Sequence, residues 1–142
     1  MQVQPYLMFD GRCEEALAFY AQALGAQTQL LMRFRDSPEP PAGECSASAA
    51  VPGDKVMHAE LRVGETTLMA SDGMAGGHPV FNGISLPLSV ASEVEARSRF
   101  DALADGGTVV APMAKTFFSP AFGMVNDRFG VSWMVLADSA PG

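Results

Sequence analysis

The chain has 142 residues, which suits one domain or two small fused modules. Hydrophobic residues make up 48% and charged residues 18%, enough for a packed core and too apolar for a disordered chain. A net charge of −7 argues against a nucleic-acid partner, which would call for a basic face. There is neither an apolar run near the roughly 18 residues of a membrane span nor a basic-then-apolar leader, so a cytoplasmic protein without a membrane partner is expected.

In chain order, residues 2–9 read as a first strand, with Pro5 tolerable near its start. From Tyr6 to Ala26 the grammar is apolar strand, glycine turn, amphipathic helix, glycine stop. Ala16, Tyr20, Ala23 and Leu24 form the apolar stripe of that helix. Glu14 and Glu15 fall in its first turn, where carboxylates suit the helix dipole. Gly25 stands where a left-handed residue ends a helix. Residues 28–34 read as a second strand. Residues 36–54, rich in Pro, Gly, Ser and Ala, read as a long loop, either a surface excursion or a flap over a cleft. It carries Cys45. Cys45 could pair with Cys13 at the helix start, but without a leader sequence free thiols are expected. Near a helix start a thiolate is favoured, yet no histidine neighbours Cys13 in sequence, so a buried small residue is the expected role.

Residues 55–63 and 65–71 form a hairpin around Gly64. The first arm alternates: Val56, His58, Glu60 and Arg62 point one way, and Met57, Ala59, Leu61 and Val63 point the other, toward helices. A Gly-rich connector runs from Ser71 to Gly83, with His78 before Pro79 as a plain loop residue. The grammar then repeats. Ile84, Leu86, Leu88 and Val90 alternate with polar or proline positions in a strand. Ser92 and Glu95 make a capping box, and Ala96, Phe100, Leu103 and Ala104 form a second helical stripe. Gly106 and Gly107 close the helix, and residues 108–111 are a strand. Residues 111–122 read as a loop, unusually apolar because of Phe117, Phe118 and Phe122. Residues 124–126 and 131–136 make a last hairpin around Asp127 to Gly130. Gly25 and Gly107 lie 82 positions apart, and a hairpin follows each helix after a long loop. The expected fold is α+β: two βαβββ modules, about 1–72 and 82–138, forming a cupped mixed sheet in a single domain of residues 1–142.

A doubled module of this kind resembles the vicinal oxygen chelate superfamily, which includes glyoxalases, bleomycin resistance proteins and extradiol dioxygenases, and within it the PhnB-like branch. The resemblance is carried by Asp10-Gly-Arg-Cys-Glu-Glu-Ala-Leu-Ala-Phe-Tyr20, Lys55-Val-Met-His-Ala-Glu-Leu61, Ala102-Leu-Ala-Asp-Gly-Gly107 and Asn126-Asp-Arg-Phe-Gly-Val-Ser-Trp133. It spans nearly the whole chain outside the Pro-rich loop. Some relatives carry a ubiquinone methyltransferase label, but this sequence has no Gly-rich strand-to-helix turn that would cradle a nucleotide cofactor. The resemblance implies a divalent metal held by His, Gln or Glu on the first and last strands of each module. Those positions fall near Pro5, near Ser85, at Met134, and at Leu68 or Met69. Proline has no ligating side chain, and methionine is a soft ligand poorly matched to Mg or Mn. No metal and no cofactor are therefore expected.

Three readings are open for His58: a structural histidine, a binding or general-base residue with Glu60 beside it on the same face, or a metal ligand. An improvised metal set of His58, Glu60 and His78 is conceivable, but its spacing is not diagnostic. Arg62 suits a carboxylate or phosphate, or a surface ion pair. Trp133 reads as core against a helix. Phe117, Phe118 and Phe122 suit a pocket or a subunit interface, and the interface is preferred because relatives assemble across dimers. The expected function is metal-free binding of a small organic molecule by His58, Glu60, Arg62, Ser85, Met134, Phe117 and Phe118, in a homodimer. The resemblance supplies a precedent in drug-sequestering resistance proteins. The alternative is a lyase or isomerase that uses His58 as a base or a non-standard divalent metal site.

Overall fold

The computed structural model describes residues 1–9, 11–36, 53–73 and 80–138. His78, Cys45 and most of the Pro-rich loop lie outside the described residues. The chain divides into two compact units, Met1–Pro79 and Val80–Gly142. The first carries β1 (Tyr6–Met8), α1 (Cys13–Leu24), β2 (Gln27–Arg33), a 3₁₀ turn (Phe34–Asp36), β3 (Val56–Val63) and β4 (Thr66–Ser71). The second carries β5 (Leu86–Val90), α2 (Glu93–Ala104), β6 (Thr108–Ala114), β7 (Phe122–Asn126) and β8 (Ser132–Ala137). Each unit is a βαβββ module with a four-stranded mixed sheet, ordered β1-β4-β3-β2 in the first and β5-β8-β7-β6 in the second. One parallel pair, β1 with β4 or β5 with β8, closes each sheet.

Local chemistry sets these elements. The α1 stripe is buried as the spacing predicts, joined by Cys13 and Leu17. Gly25 ends the helix at φ 66°, and its N–H donates to the Tyr20 carbonyl. In α2, Ser92 Oγ accepts from Glu95 N at 3.1 Å, and Ala96, Phe100 and Leu103 are buried. Asp72 takes the place of an N-cap side chain for α1. Its carboxylate accepts from Gly11 N at 2.7 Å, Cys13 N at 2.8 Å and Val56 N at 2.9 Å, tying helix start and strand β3 to one buried group.

Four expectations need correction. The first strand does not begin at Gln2: pairing starts at Tyr6, after Pro5, whose ring removes a ladder donor. β6 does not stop at Ala111 but continues through Pro112 to Ala114. It can because it is an edge strand with a register shift between Ala111 and Ala114, where a missing N–H costs no ladder bond. Phe122, read as loop, opens β7. Val56, expected on the face of His58, is fully buried. The β2–β3 register slips between Met32 and Arg33, and a one-residue slip breaks the two-residue alternation at that end of β3.

Ala59 and Leu61 keep the expected alternation, while Met57 and Val63 are only half-buried. Leu7, Ala59, Leu61, Leu68 and Ala70 are buried with the α1 stripe. In the second unit Val125, Trp133, Val135 and Ala137 are buried, with α2 against β7 and β8. Gly123 makes room for Phe100, since a Cβ there would lie 2.7 Å from the Phe100 ring. Trp133 is core, as expected, and its Nε1 donates to Asp127 Oδ2 at 2.9 Å. Each sheet thus has one face committed to its helix and one open face.

Candidate functional site

Cross-strand partners share a face. On the open face of the first sheet, Tyr6, Met69, Glu60 and Leu30 form one row across β1, β4, β3 and β2. His58 and Met32 are partners in the next row, as are Met8 and Ser71. The row on the other side of Glu60 holds Thr67, Arg62 and Gln27. His58 and Glu60 are two residues apart on β3, so their side chains lie together. Glu60 Oε1 stands 3.7 Å from His58 Nε2.

The sheet order brings in a residue that sequence reasoning missed. Tyr6, read only as the start of an apolar strand, sends its hydroxyl to within 2.9 Å of His58 Nδ1. Two strand spacings of about 4.8 Å separate β1 from β3, and the tyrosine spans them over Met69. The two rings lie 5.5 Å apart. Partial burial raises the Tyr6 hydroxyl above the ordinary tyrosine range, so it stays protonated. The separation of 52 positions between Tyr6 and His58 hides this pairing from any local pattern.

Glu60 can only accept, and which of Tyr6 and His58 Nδ1 donates to the other follows the tautomer of the ring. Arg62 does not join this group. It is exposed, and its Nε donates to Gly64 O at 3.0 Å in its own hairpin. The basic groups nearby in the fold are likewise engaged: Arg33 with Glu14 at 2.7 Å, and Lys55 with Gly11 O at 3.2 Å.

The open face of the second sheet is graded. Ser132, Asn126 and Thr108 form a neutral polar row, and Ser85 Oγ meets Ser132 Oγ at 2.6 Å. Next come Pro87, Met134, Met124 and Ala111, then Ser89, Leu136, Phe122 and Ala114. Beside the polar row is an open pocket of about 470 Å³ that includes Asn82, Ser85, Val110, Asn126 and Ser132 in its lining. Ser85 and Met134 thus share a face of one sheet. Phe117 and Phe118 sit in the loop after β6. Phe117 is 100% exposed and Phe118 44%, and the edge-on contacts Phe117–Phe118 and Phe118–Phe122 run to the start of β7.

The donor set does not fit a divalent metal. Pro5, Ser85 and Met134, with Leu68 or Met69, supply no hard ligand set, and among the described residues no three His, Cys, Asp or Glu side chains gather. Nor do the helix starts fit a nucleotide-bearing methyl donor: the α1 start is taken by Asp72 and the α2 start by Ser92. Cys13 is fully buried, and burial, then Asp72 and Glu14, pushes its thiol up to about 12. Among the described residues no helix is long and apolar enough to cross a membrane.

A repeated βαβββ unit with an open-faced mixed sheet defines the vicinal oxygen chelate fold, and solved glyoxalase/bleomycin resistance domains share it at 14% and 16% identity. Within that class the chain belongs to the PhnB-like family: the family model described as 3-demethylubiquinone-9 3-methyltransferase matches residues 1–136. Protein YjdN of Escherichia coli K12 is 33% identical over 138 residues, 95% of this chain and 94% of that protein. Among solved structures, protein PA1353 from Pseudomonas aeruginosa is 44% identical, covers 99% of both chains and superposes with a TM-score of 0.82. A putative 3-demethylubiquinone-9 3-methyltransferase, PhnB protein, from Bacillus cereus is 25% identical over 96% of this chain and 99% of its own, with a TM-score of 0.76.

Proposed function

We propose that this protein binds a small organic molecule, without a metal, on the open faces of its sheets. The observation that carries the reading is the Tyr6–His58–Glu60 group, held on a face beside Met8, Met32, Met69 and Leu30. A few placed polar groups in an apolar, adaptable lining are the usual composition of a ligand site. Ser85 and Met134 on the open face of the second sheet extend the same chemistry, a neutral polar end beside methionines. The family description names a methyltransferase, but among the described residues the helix starts are taken by Asp72 and Ser92 and do not fit a nucleotide-bearing methyl donor.

A second copy of the chain is the proposed partner. A fully exposed Phe117 set edge-on against Phe118 is apolar surface that a monomer does not benefit from showing to water. A two-fold contact through this loop would bury it.

The test is a fragment screen on the purified full chain by thermal shift, repeated on His58→Ala and after exhaustive chelation. Ligands that stabilise the wild type, survive chelation and lose their effect in His58→Ala support the reading. Stabilisation only in the presence of an added divalent metal, or hits indifferent to His58, would sink it.

A further inference from the structure

We propose that the ligand of the first sheet is an organic cation, a protonated amine carrying an apolar body, read by Tyr6 and Glu60. This rests on the binding function proposed above and names the chemical class of its ligand.

The hydrogen-bond polarity of the group carries the inference. The Tyr6 hydroxyl lies 2.9 Å from His58 Nδ1, and Glu60 Oε1 lies 3.7 Å from His58 Nε2. Whichever way the Tyr6–His58 bond runs, the phenol oxygen keeps a lone pair for a further donor. Tyr6 and Glu60 can therefore both accept from one protonated amine.

Charge points the same way. Among the described residues, His58 at 3.7 Å is the one ion-pair partner of Glu60, and it lends full charge only when protonated. The cations that could neutralise Glu60 are placed elsewhere. Arg62 binds its own turn, Arg33 binds Glu14, and Lys55 reaches the Gly11 carbonyl. The Glu60 side chain is 41% exposed and Tyr6 40%, so a ligand can reach both. The tyrosine ring adds a negative π face, and Met32, Met69 and Leu30 supply polarizable apolar contact for the body of the molecule. An anion would meet the half-exposed Glu60 carboxylate here.

The experiment is an NMR titration of the ¹⁵N-labelled full chain with three probes of one shape: benzylammonium, benzyl alcohol and benzoate. Benzylammonium should shift the amides of Tyr6, His58 and Glu60 and bind about tenfold more tightly than benzyl alcohol, with benzoate weakest. Glu60→Gln should bring benzylammonium down to the level of the alcohol, and Tyr6→Phe should weaken it severalfold. Salt should weaken the ammonium and leave the alcohol unchanged, a readout that needs no variant and stands even if Glu60→Gln fails to fold. Equal or tighter binding of benzoate or the alcohol, indifference to Glu60→Gln, or no saturation by any probe would overturn the inference. The binding reading itself would still stand if the fragment screen finds His58-dependent ligands of another charge.

Discussion

The Tyr6 hydroxyl and His58 Nδ1 are joined at 2.9 Å across an intervening strand. This bond couples the tyrosine hydroxyl to the tautomer of the imidazole. It also engages an exposed residue of the shortest strand of its sheet, Tyr6–Met8. In Tyr6→Phe, Nδ1 loses its partner, and Glu60, 3.7 Å from Nε2, is left to bias the ring. Long-range ¹⁵N spectra of the imidazole should show predominant Nε2–H in the wild type and a shift toward mixed tautomers in the variant. An unchanged tautomer balance would mean that the bond to Tyr6 is incidental.

Asp72 is a larger element of stability. Its carboxylate is 1% exposed and accepts three backbone N–H groups from the α1 start and β3. Asp72→Ala leaves those donors without an acceptor, at about 1–3 kcal/mol for each that stays buried. Urea unfolding should lose about 3 kcal/mol or more. A loss below about 1 kcal/mol would show that water replaces the carboxylate.

The Cys13 thiol, pushed up to about 12 from 9.0 by burial, should stay protonated and inert in the folded protein. In a Cys45→Ser background, iodoacetamide at pH 8 should label Cys13 only after unfolding. The linkage has a definite sign. Above about pH 9 the unfolded chain gives up this proton while the folded chain keeps it, so stability falls as pH rises toward 12. Cys13→Ala should remove that part of the alkaline slope. Rapid native labelling would contradict the burial.

Two glycines of the second unit should differ in how they can be rescued. A Cβ at Gly123 meets the Phe100 ring, and Phe100→Leu can yield space, so Gly123→Ala should cost about 1–3 kcal/mol and recover in part in the double variant. A Cβ at Gly107 runs into the Asn126 carbonyl, which is backbone. Gly107→Ala should cost more, and no side-chain change should restore it. Thermal unfolding of the three variants separates the cases.

Phe117→Asp tests assembly without touching the core, because Phe117 is fully exposed within the chain. Light scattering should show a wild-type dimer and a variant shifted toward monomer, since a carboxylate in a dry contact lacks a partner. A monomeric wild type, or a variant that stays dimeric, would return Phe117 and Phe118 to a ligand-contacting role.

Much of this molecule is local and therefore readable along the chain. Gly25, the α1 stripe, Ser92 with Glu95 and the hairpin at Gly64 all follow from interactions within a few residues, and each appears where the pattern puts it. The repeat of that grammar was enough to anticipate two βαβββ modules. His58 and Glu60 were legible as neighbours because a strand alternates with period two. Tyr6 was not, because its place beside His58 depends on β4 lying between β1 and β3, a choice of strand order made over more than fifty residues. Arg62 shares the alternation of Glu60 yet turns back to Gly64, since a flexible side chain takes the nearest unsatisfied carbonyl. Val56 and Pro112 departed from pattern at register shifts, and a shift is set by how two strands meet. Asp72 looked like loop punctuation until folding brought three donors to it, because a buried carboxylate is defined by its surroundings rather than by its neighbours in sequence.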